Sequence, residues 1–226
     1  MLDLHTFSIV AHDAAVGAFG VAVATARPAV GALVPFVSLS GGIATQARVN
    51  TEIGRQGIAL LDEGVPIGTT LRTLLQNDAD RDIRQVHGVD AASSFCHTGA
   101  SCIPWCGHHD GDGFSVAGNM LAGPRVVEAM VEAYRHARDE ERELSERLVL
   151  TLQAGQAAGG DKRGKQSAAL LVASREPRGY HNLRVDDHPD PVAELRRIYD
   201  LVVHHSLKIE REYGAEGLRL FSRVKF

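Results

Sequence analysis

Hydrophobic and polar positions alternate from the start of the chain: Phe7, Ile9 and Ala11 are set against Ser8, Val10 and His12. Because the second set is only partly polar, the run predicts a strand covered on both faces rather than one facing water. Residues 13–17 read as a turn and 19–25, made of small residues, as a second strand, so the two predict an antiparallel hairpin with Arg27 and Pro28 at its end. A third apolar run, 33–39, meets a fourth, 43–47, through Ser40-Gly41-Gly42, where paired glycines predict a bend, a bulge or a close backbone approach.

From residue 50 the period lengthens. Asn50 or Thr51 is a natural cap for a helix carrying Ile53, Ile58, Leu60 and Leu61, which Gly64 ends. Pro66 opens a second helix with Ile67, Leu71, Leu74 and Leu75 on one face. Residues 84–89 and 94–98 return to strand character as another hairpin, and 114–119 is a strand running into a turn. Helix resumes at Pro124, with Val127, Met130, Val131 and Tyr134 inward; residues 135–143 read as a solvated charged connector, and a helix over 144–158 stops at Gly159-Gly160. Strands over 167–174 and 181–185 precede a helix capped by Asp190-Pro191, with Val192, Leu195, Ile198, Tyr199 and Val202 along one face.

Strands and helices thus come in blocks. That order predicts an α+β layered fold, two sheets packed together with helices outside them, and excludes the one-by-one alternation of a doubly wound fold. The chain divides into a leader (1–5), a single domain (6–205) and a tail (206–226) whose mixed apolar and charged residues dock on the core or on a second subunit, as in a homodimer.

Charge narrows the partners. Lys and Arg number 24 against 28 Asp and Glu, a net charge of −4, which leaves no basic excess for nucleic acid or an acidic membrane. Small molecules or peptides are the expected partners. Cys96, Cys102 and Cys106 make an odd, clustered set, which favours a reducing compartment over a disulfide framework. The leader has an acid and no apolar core, and no apolar run spans a bilayer, so a soluble cytoplasmic protein is expected.

Candidate chemistry lies at three places. If residues 1–5 were removed, Thr6 would own a hydroxyl and a free α-amino group of pKa about 7.7–8.0, a nucleophile carrying its own base. The loop 159–167 is a near miss to a phosphate loop, in the wrong order between helix and strand, and reads better as an anion pocket in which Lys162, Arg163 or backbone N–H groups hold a carboxylate. Cys96, His97, Cys102, Cys106, His108, His109, Asp110 and Asp112 are the densest set of metal-ligand types, but their spacing matches no usual paired pattern, and a buried thiol cluster with a polar loop is the simpler reading; no metal or other cofactor is expected. No Gly-x-Ser-x-Gly elbow or His-Glu-x-x-His occurs.

Six segments in order, Thr6-Phe7-Ser8-Ile9-Val10, Ala44-Thr45-Gln46-Ala47, His97-Thr98-Gly99, 118–124, Ala158-Gly159-Gly160-Asp161 and 184–191, resemble the domain of unknown function 1028 family, over residues 6–201. That family looks like the N-terminal-nucleophile hydrolases. The resemblance implies a four-layer αββα sandwich of two antiparallel sheets between helices. It also implies an amidohydrolase acting on an amide or related C–N bond of a small, anionic substrate. Thr6 would attack, its amine or a water-bridged Ser8 would take the proton, and Asn119 or a backbone N–H near Gln46 would hold the oxyanion. Arg27, Gln46, Asn50, Asp161, Lys162 and Arg163 would position substrate. The chain departs from proteasome subunits in having no lysine before Lys162. Arg27 can supply a positive field there but stays protonated, so it is no base. The competing expectations are an unprocessed, non-catalytic protein that binds a metabolite or builds an assembly, and a metal-assisted hydrolase using the cysteine and histidine cluster.

Overall fold

The computed structural model of the chain describes residues 3–4 and 6–222, with side chains over 6–214. Strand β1 (Asp3–Leu4) leads to β2 (Thr6–Asp13) and β3 (Ala18–Thr25), the expected antiparallel hairpin, with Thr6 opposite Thr25. β4 (Pro35–Ser38) and β5 (Gly41–Arg48) pair through the glycine bend. Two helices follow, α1 (Thr51–Asp62) and α2 (Ile67–Gln76). Then come β6 (Arg84–Asp90), β7 (Ser94–Thr98), β8 (Gly107–Gly111) and β9 (Phe114–Gly118). Helices α3 (Arg125–Asp139) and α4 (Leu144–Ala157), strands β10 (Ser167–Ala173) and β11 (Asn182–Val185), and helix α5 (Pro191–Ser222), interrupted at Gly214, complete the described residues.

Both sheets are antiparallel. One runs β1-β5-β6-β7, with β4 also on β5; the other runs β11-β10-β3-β2-β9-β8. Alternation along β2 and β3 decides what each face meets. Phe7, Ile9, Ala22 and Ala24 join Met130, Tyr134, Leu148 and Leu152 of α3 and α4 in the largest core, which also takes Leu195 and Tyr199 of α5. Val10, Val21 and Val23 turn the other way and meet Ala44 and Val89 of the opposing sheet. Helices α1 and α2 cover the far side of that sheet through Ile53, Leu61, Ile67 and Leu71, which pack on Ile43 and Val86. The result is a mixed α+β fold of two packed antiparallel sheets and five helices. No helix among the described residues is long and apolar enough to cross a membrane.

Three elements differ from the sequence reading. Residues 107–111, read as a polar loop, form β8 at the edge of the six-stranded sheet; an edge strand pairs on one side only, so it needs no apolar alternation. Helix α3 runs on to Asp139, its charged last turn simply being its solvated side. Helix α5 continues through residue 206, so the division between domain and tail drawn there falls inside one helix, where Leu201, Leu207 and Tyr213 are exposed.

Candidate functional site

Thr6 opens β2 fully buried, and among the described residues its Oγ1 is the buried side-chain polar atom that has no hydrogen-bond partner. An orphan of this kind costs about 1–3 kcal/mol. Its backbone is held on both flanks: its carbonyl accepts the Asn119 N–H at 3.0 Å, and Leu4, two residues ahead of it, pairs with Ala47 of β5. The chain therefore passes from one sheet to the other between Leu4 and Thr6, and Thr6 sits at the crossing.

Backbone strain gathers at this end of the sheets. Ala47 (φ 66°), Met120 (φ 53°) and Ala29 (φ 58°) are three of the four non-glycine residues with positive φ among those described. Each such conformation costs on the order of 1–3 kcal/mol, and such residues concentrate at functional sites. Ala47 follows Gln46, Met120 follows Asn119, and Ala29 lies two residues beyond Arg27.

Two residues along β2, roughly 6.6 Å from Thr6 on the same face, Ser8 enters a buried polar network that occupies part of the space between the sheets, beside the valine cluster. Ser8 Oγ donates to Gln46 Oε1 at 2.7 Å and lies 2.7 Å from His87 Nε2. Since its one proton goes to Gln46, Ser8 accepts from Nε2–H, and His87 Nδ1 is left to accept from Ser115 Oγ at 2.8 Å. Gln46 Nε2 and Asn119 Nδ2 both donate to Gln85 Oε1, at 2.9 and 3.0 Å. The two N–H groups of the Gln85 amide are shared among three acceptors within reach, Thr98 Oγ1, Gly107 O and Gly118 O. Burial holds the His87 imidazole down at about 3, assisted by His108 and opposed by Ser115, so it is neutral at pH 7.

Gln85, His87, Ser115 and Thr98 were not candidates on sequence. Ser8, Gln46 and Asn119 were, and the fold joins all three through Gln85.

The loop read as an anion pocket is built by two glycines. Gly159 (φ 116°) and Gly160 (φ 53°) turn the chain out of α4, and a side chain on Gly160 would approach Phe7, the neighbour of Thr6, at 3.2 Å. The turn delivers Asp161, 3% exposed, whose carboxylate accepts the Ala26 N–H at 3.1 Å and the Arg163 N–H at 2.9 Å and pairs with the Arg163 guanidinium at 2.6 Å. Lys162 is exposed and donates to Pro104 O at 2.8 Å. Arg27 is exposed at the end of β3. Asn50, offered above both as a cap and as a substrate contact, spends its carboxamide structurally: Oδ1 caps α1 by accepting the Glu52 N–H, and Nδ2 donates to Asp78.

The cysteine and histidine cluster does not converge. Cys96 points to the His109 carbonyl, Cys102 to the Arg84 carbonyl and Cys106 to the Cys102 carbonyl, and no three His, Cys, Asp or Glu side chains among the described residues gather as ligands of one ion. Burial pushes the Cys102 thiol up to about 11 and raises Cys96 and Cys106 as well, the opposite of what a reactive thiolate needs.

The sequence matches a family of unknown function, DUF1028, over residues 6–195. A crystal structure of the protein SPO2555 from Silicibacter pomeroyi, assigned to the same family, is similar with a TM-score of 0.80 and 32% identity over 87% of this chain and 85% of that one. No curated protein matches the chain. The matched span begins at Thr6, the residue that stands at the sheet crossing, and covers the network and the loop that surround it. The chain belongs to the DUF1028 family.

Proposed function

We propose that this protein is an amidohydrolase of the N-terminal-nucleophile type, acting on an amide or related C–N bond of a small anionic molecule. The observation that carries the reading is the orphaned, fully buried Thr6 hydroxyl at the head of β2. The packing order of helices, sheet, sheet and helices fits the four-layer αββα sandwich of such enzymes. Removal of the residues ahead of Thr6 frees its α-amine. The amine takes the hydroxyl proton as Oγ1 attacks the carbonyl carbon, and the C–N bond breaks as that proton passes to the leaving nitrogen. Water then attacks the ester by the same route, releasing the acid and restoring the hydroxyl. Asn119, whose amide also donates to Gln85, or a backbone N–H near Gln46 would hold the oxyanion. Arg27 and Lys162 supply positive charge at the rim, which suits an anionic substrate in water at a cytoplasmic pH.

A second reading has its own support: Asp3 and Leu4 stand ahead of Thr6 as β1, and a Thr6 nitrogen in peptide linkage cannot act as base. In that case the chain binds a metabolite, or assembles as a homodimer through the projecting α5, without turnover. Intact mass and N-terminal sequencing of the purified protein separate the two. A chain beginning at Thr6 whose Thr6→Ala variant folds but turns over no amide supports the enzyme; full activity in that variant removes it.

A further inference from the structure

Between α3 and β8 a groove of about 410 Å³ opens on the outer side of the sheet that carries Thr6. Its floor is apolar, with Val127 and Val131 each 6% exposed. Its wall is Trp105, whose position is built into the chain: a Cβ on Gly107 would lie 2.6 Å from the indole, so only glycine leaves room for the ring. The backbone holds that wall as well, since the Trp105 carbonyl accepts the Leu121 N–H at 3.0 Å.

Charge is divided along the groove. Glu132 takes two Arg125 bonds of 3.0 and 3.1 Å, and Glu128, which also lines the groove, shares that guanidinium at 3.5 Å, so the carboxylates stand together at one end. At the other end Arg135 has no carboxylate within ion-pair distance among the described residues; it lies 5.8 Å above the Phe114 ring and 3.3 Å from His109 Nε2. Burial, with Arg135 beside it, lowers the His109 imidazole, so near neutral pH the guanidinium is the cation of that rim. An apolar floor, an aromatic wall and, at one end, a guanidinium with no carboxylate partner among the described residues suit a ligand with a flat apolar body and one planar anionic group.

We propose that this groove binds a small aromatic carboxylate, its ring against Trp105 and the two valines and its carboxylate paired with Arg135. The volume is that of a small-molecule site, and the guanidinium fork matches a carboxylate bidentately. The groove also reaches the buried network: His108 lines it and its Nδ1 lies 2.8 Å from Thr98 Oγ1, which is bonded to Gln85, the residue that holds Asn119. A ligand resting on His108 is thus connected to the Thr6 site through three side chains. The binding itself does not depend on the activity assigned to Thr6.

Trp105 is the chain's single tryptophan, so its fluorescence reports the groove directly. The protein is titrated with 3-phenylpropionate and with 3-phenylpropionamide, and the same pairs are followed by isothermal titration calorimetry in case the indole is silent. The expected result is saturable binding of the carboxylate, at least tenfold weaker binding of the amide, and at least tenfold weaker carboxylate binding in Arg135→Gln, a substitution at an exposed position whose Tm should equal that of the parent. No saturable signal by either method, or equal binding of amide and carboxylate, or an Arg135→Gln variant that binds as well as the parent, would overturn the proposal.

Discussion

Gln85 on β6 and Asn119 just beyond β9 are joined across the space between the two sheets by a 3.0 Å hydrogen bond, and the accepting oxygen also takes the Gln46 amide at 2.9 Å. One fully buried carboxamide therefore fixes two others, from both sheets. Its own amide nitrogen is spent on Thr98 and on the carbonyls of Gly107 and Gly118. Networks of this kind stabilise when every member is satisfied and cost heavily when one is removed.

Gln85→Leu strips partners from both neighbouring carboxamides at once. Each buried group left unpaired costs about 1–3 kcal/mol, so a loss of at least about 2 kcal/mol is expected. Gln46→Leu removes fewer bonds and should cost less. Urea unfolding midpoints of the two variants decide this, and a milder effect for Gln85→Leu than for Gln46→Leu would show that Gln85 is not the centre of the network.

His87 gives the fold a pH dependence of definite sign. Its folded-state pKa, about 3, lies below the ordinary 6.5 because burial disfavours the imidazolium. Below pH 6.5 the unfolded chain binds a proton that the folded chain refuses, so the contribution is complete above that pH and drains away as pH falls toward 3. The slope approaches about 1.4 kcal/mol per pH unit in that window. His87→Gln should be less stable than the parent at pH 7 but should lose less stability between pH 6.5 and pH 4. Equal pH slopes for parent and variant in urea unfolding would rule this out.

What the sequence could and could not reveal follows from how strands present their faces. The order of elements was legible because apolar residues recur at two-residue and three-to-four-residue spacing, and the glycines and prolines bounding them have backbone reasons to be there. The face of each strand was harder. In β6, Gln85 and His87 alternate with Val86, the pattern of a strand with one face in water, yet both polar residues are fully buried between the sheets. Alternation identifies two faces without saying which one meets solvent. Ser8 and Asn119 were reached only because they fall in segments that resemble a family. Asn50 illustrates the reverse: its residue type suited a cap and a substrate contact equally, and the hydrogen bonds to Glu52 and Asp78 commit it to α1.

Thr6 carries a prediction that needs no substrate. A buried hydroxyl without a partner is worse than a methyl group of the same shape. Thr6→Val replaces that hydroxyl, 0% exposed, by an isosteric group. The variant should be at least as stable as the parent, by up to about 1–3 kcal/mol. A clear fall in Tm would mean that the hydroxyl has a stabilising partner, and Thr6 would then serve the fold rather than chemistry.

Asp161 and Lys162 are neighbours in sequence with opposite expected roles. The Asp161 carboxylate is buried and accepts from Ala26 N–H, from Arg163 N–H and from the Arg163 guanidinium, so it holds the loop onto the end of β3. In Asp161→Asn an amide group replaces one of the accepting oxygens and the ion pair is lost, for about 2 kcal/mol or more of stability. Lys162 is exposed and makes one side-chain bond, to the Pro104 carbonyl, so Lys162→Met should leave Tm within about 2 °C of the parent, since surface changes are usually within ±0.5 kcal/mol. If the rim cations attract an anionic substrate, the same Lys162→Met variant should raise KM with kcat unchanged, and the increase should shrink as ionic strength rises and screens the charge. A Lys162→Met variant that melts early, or one whose KM is insensitive to salt, would assign Lys162 to the architecture of the loop and leave the substrate's charge to be recognised elsewhere.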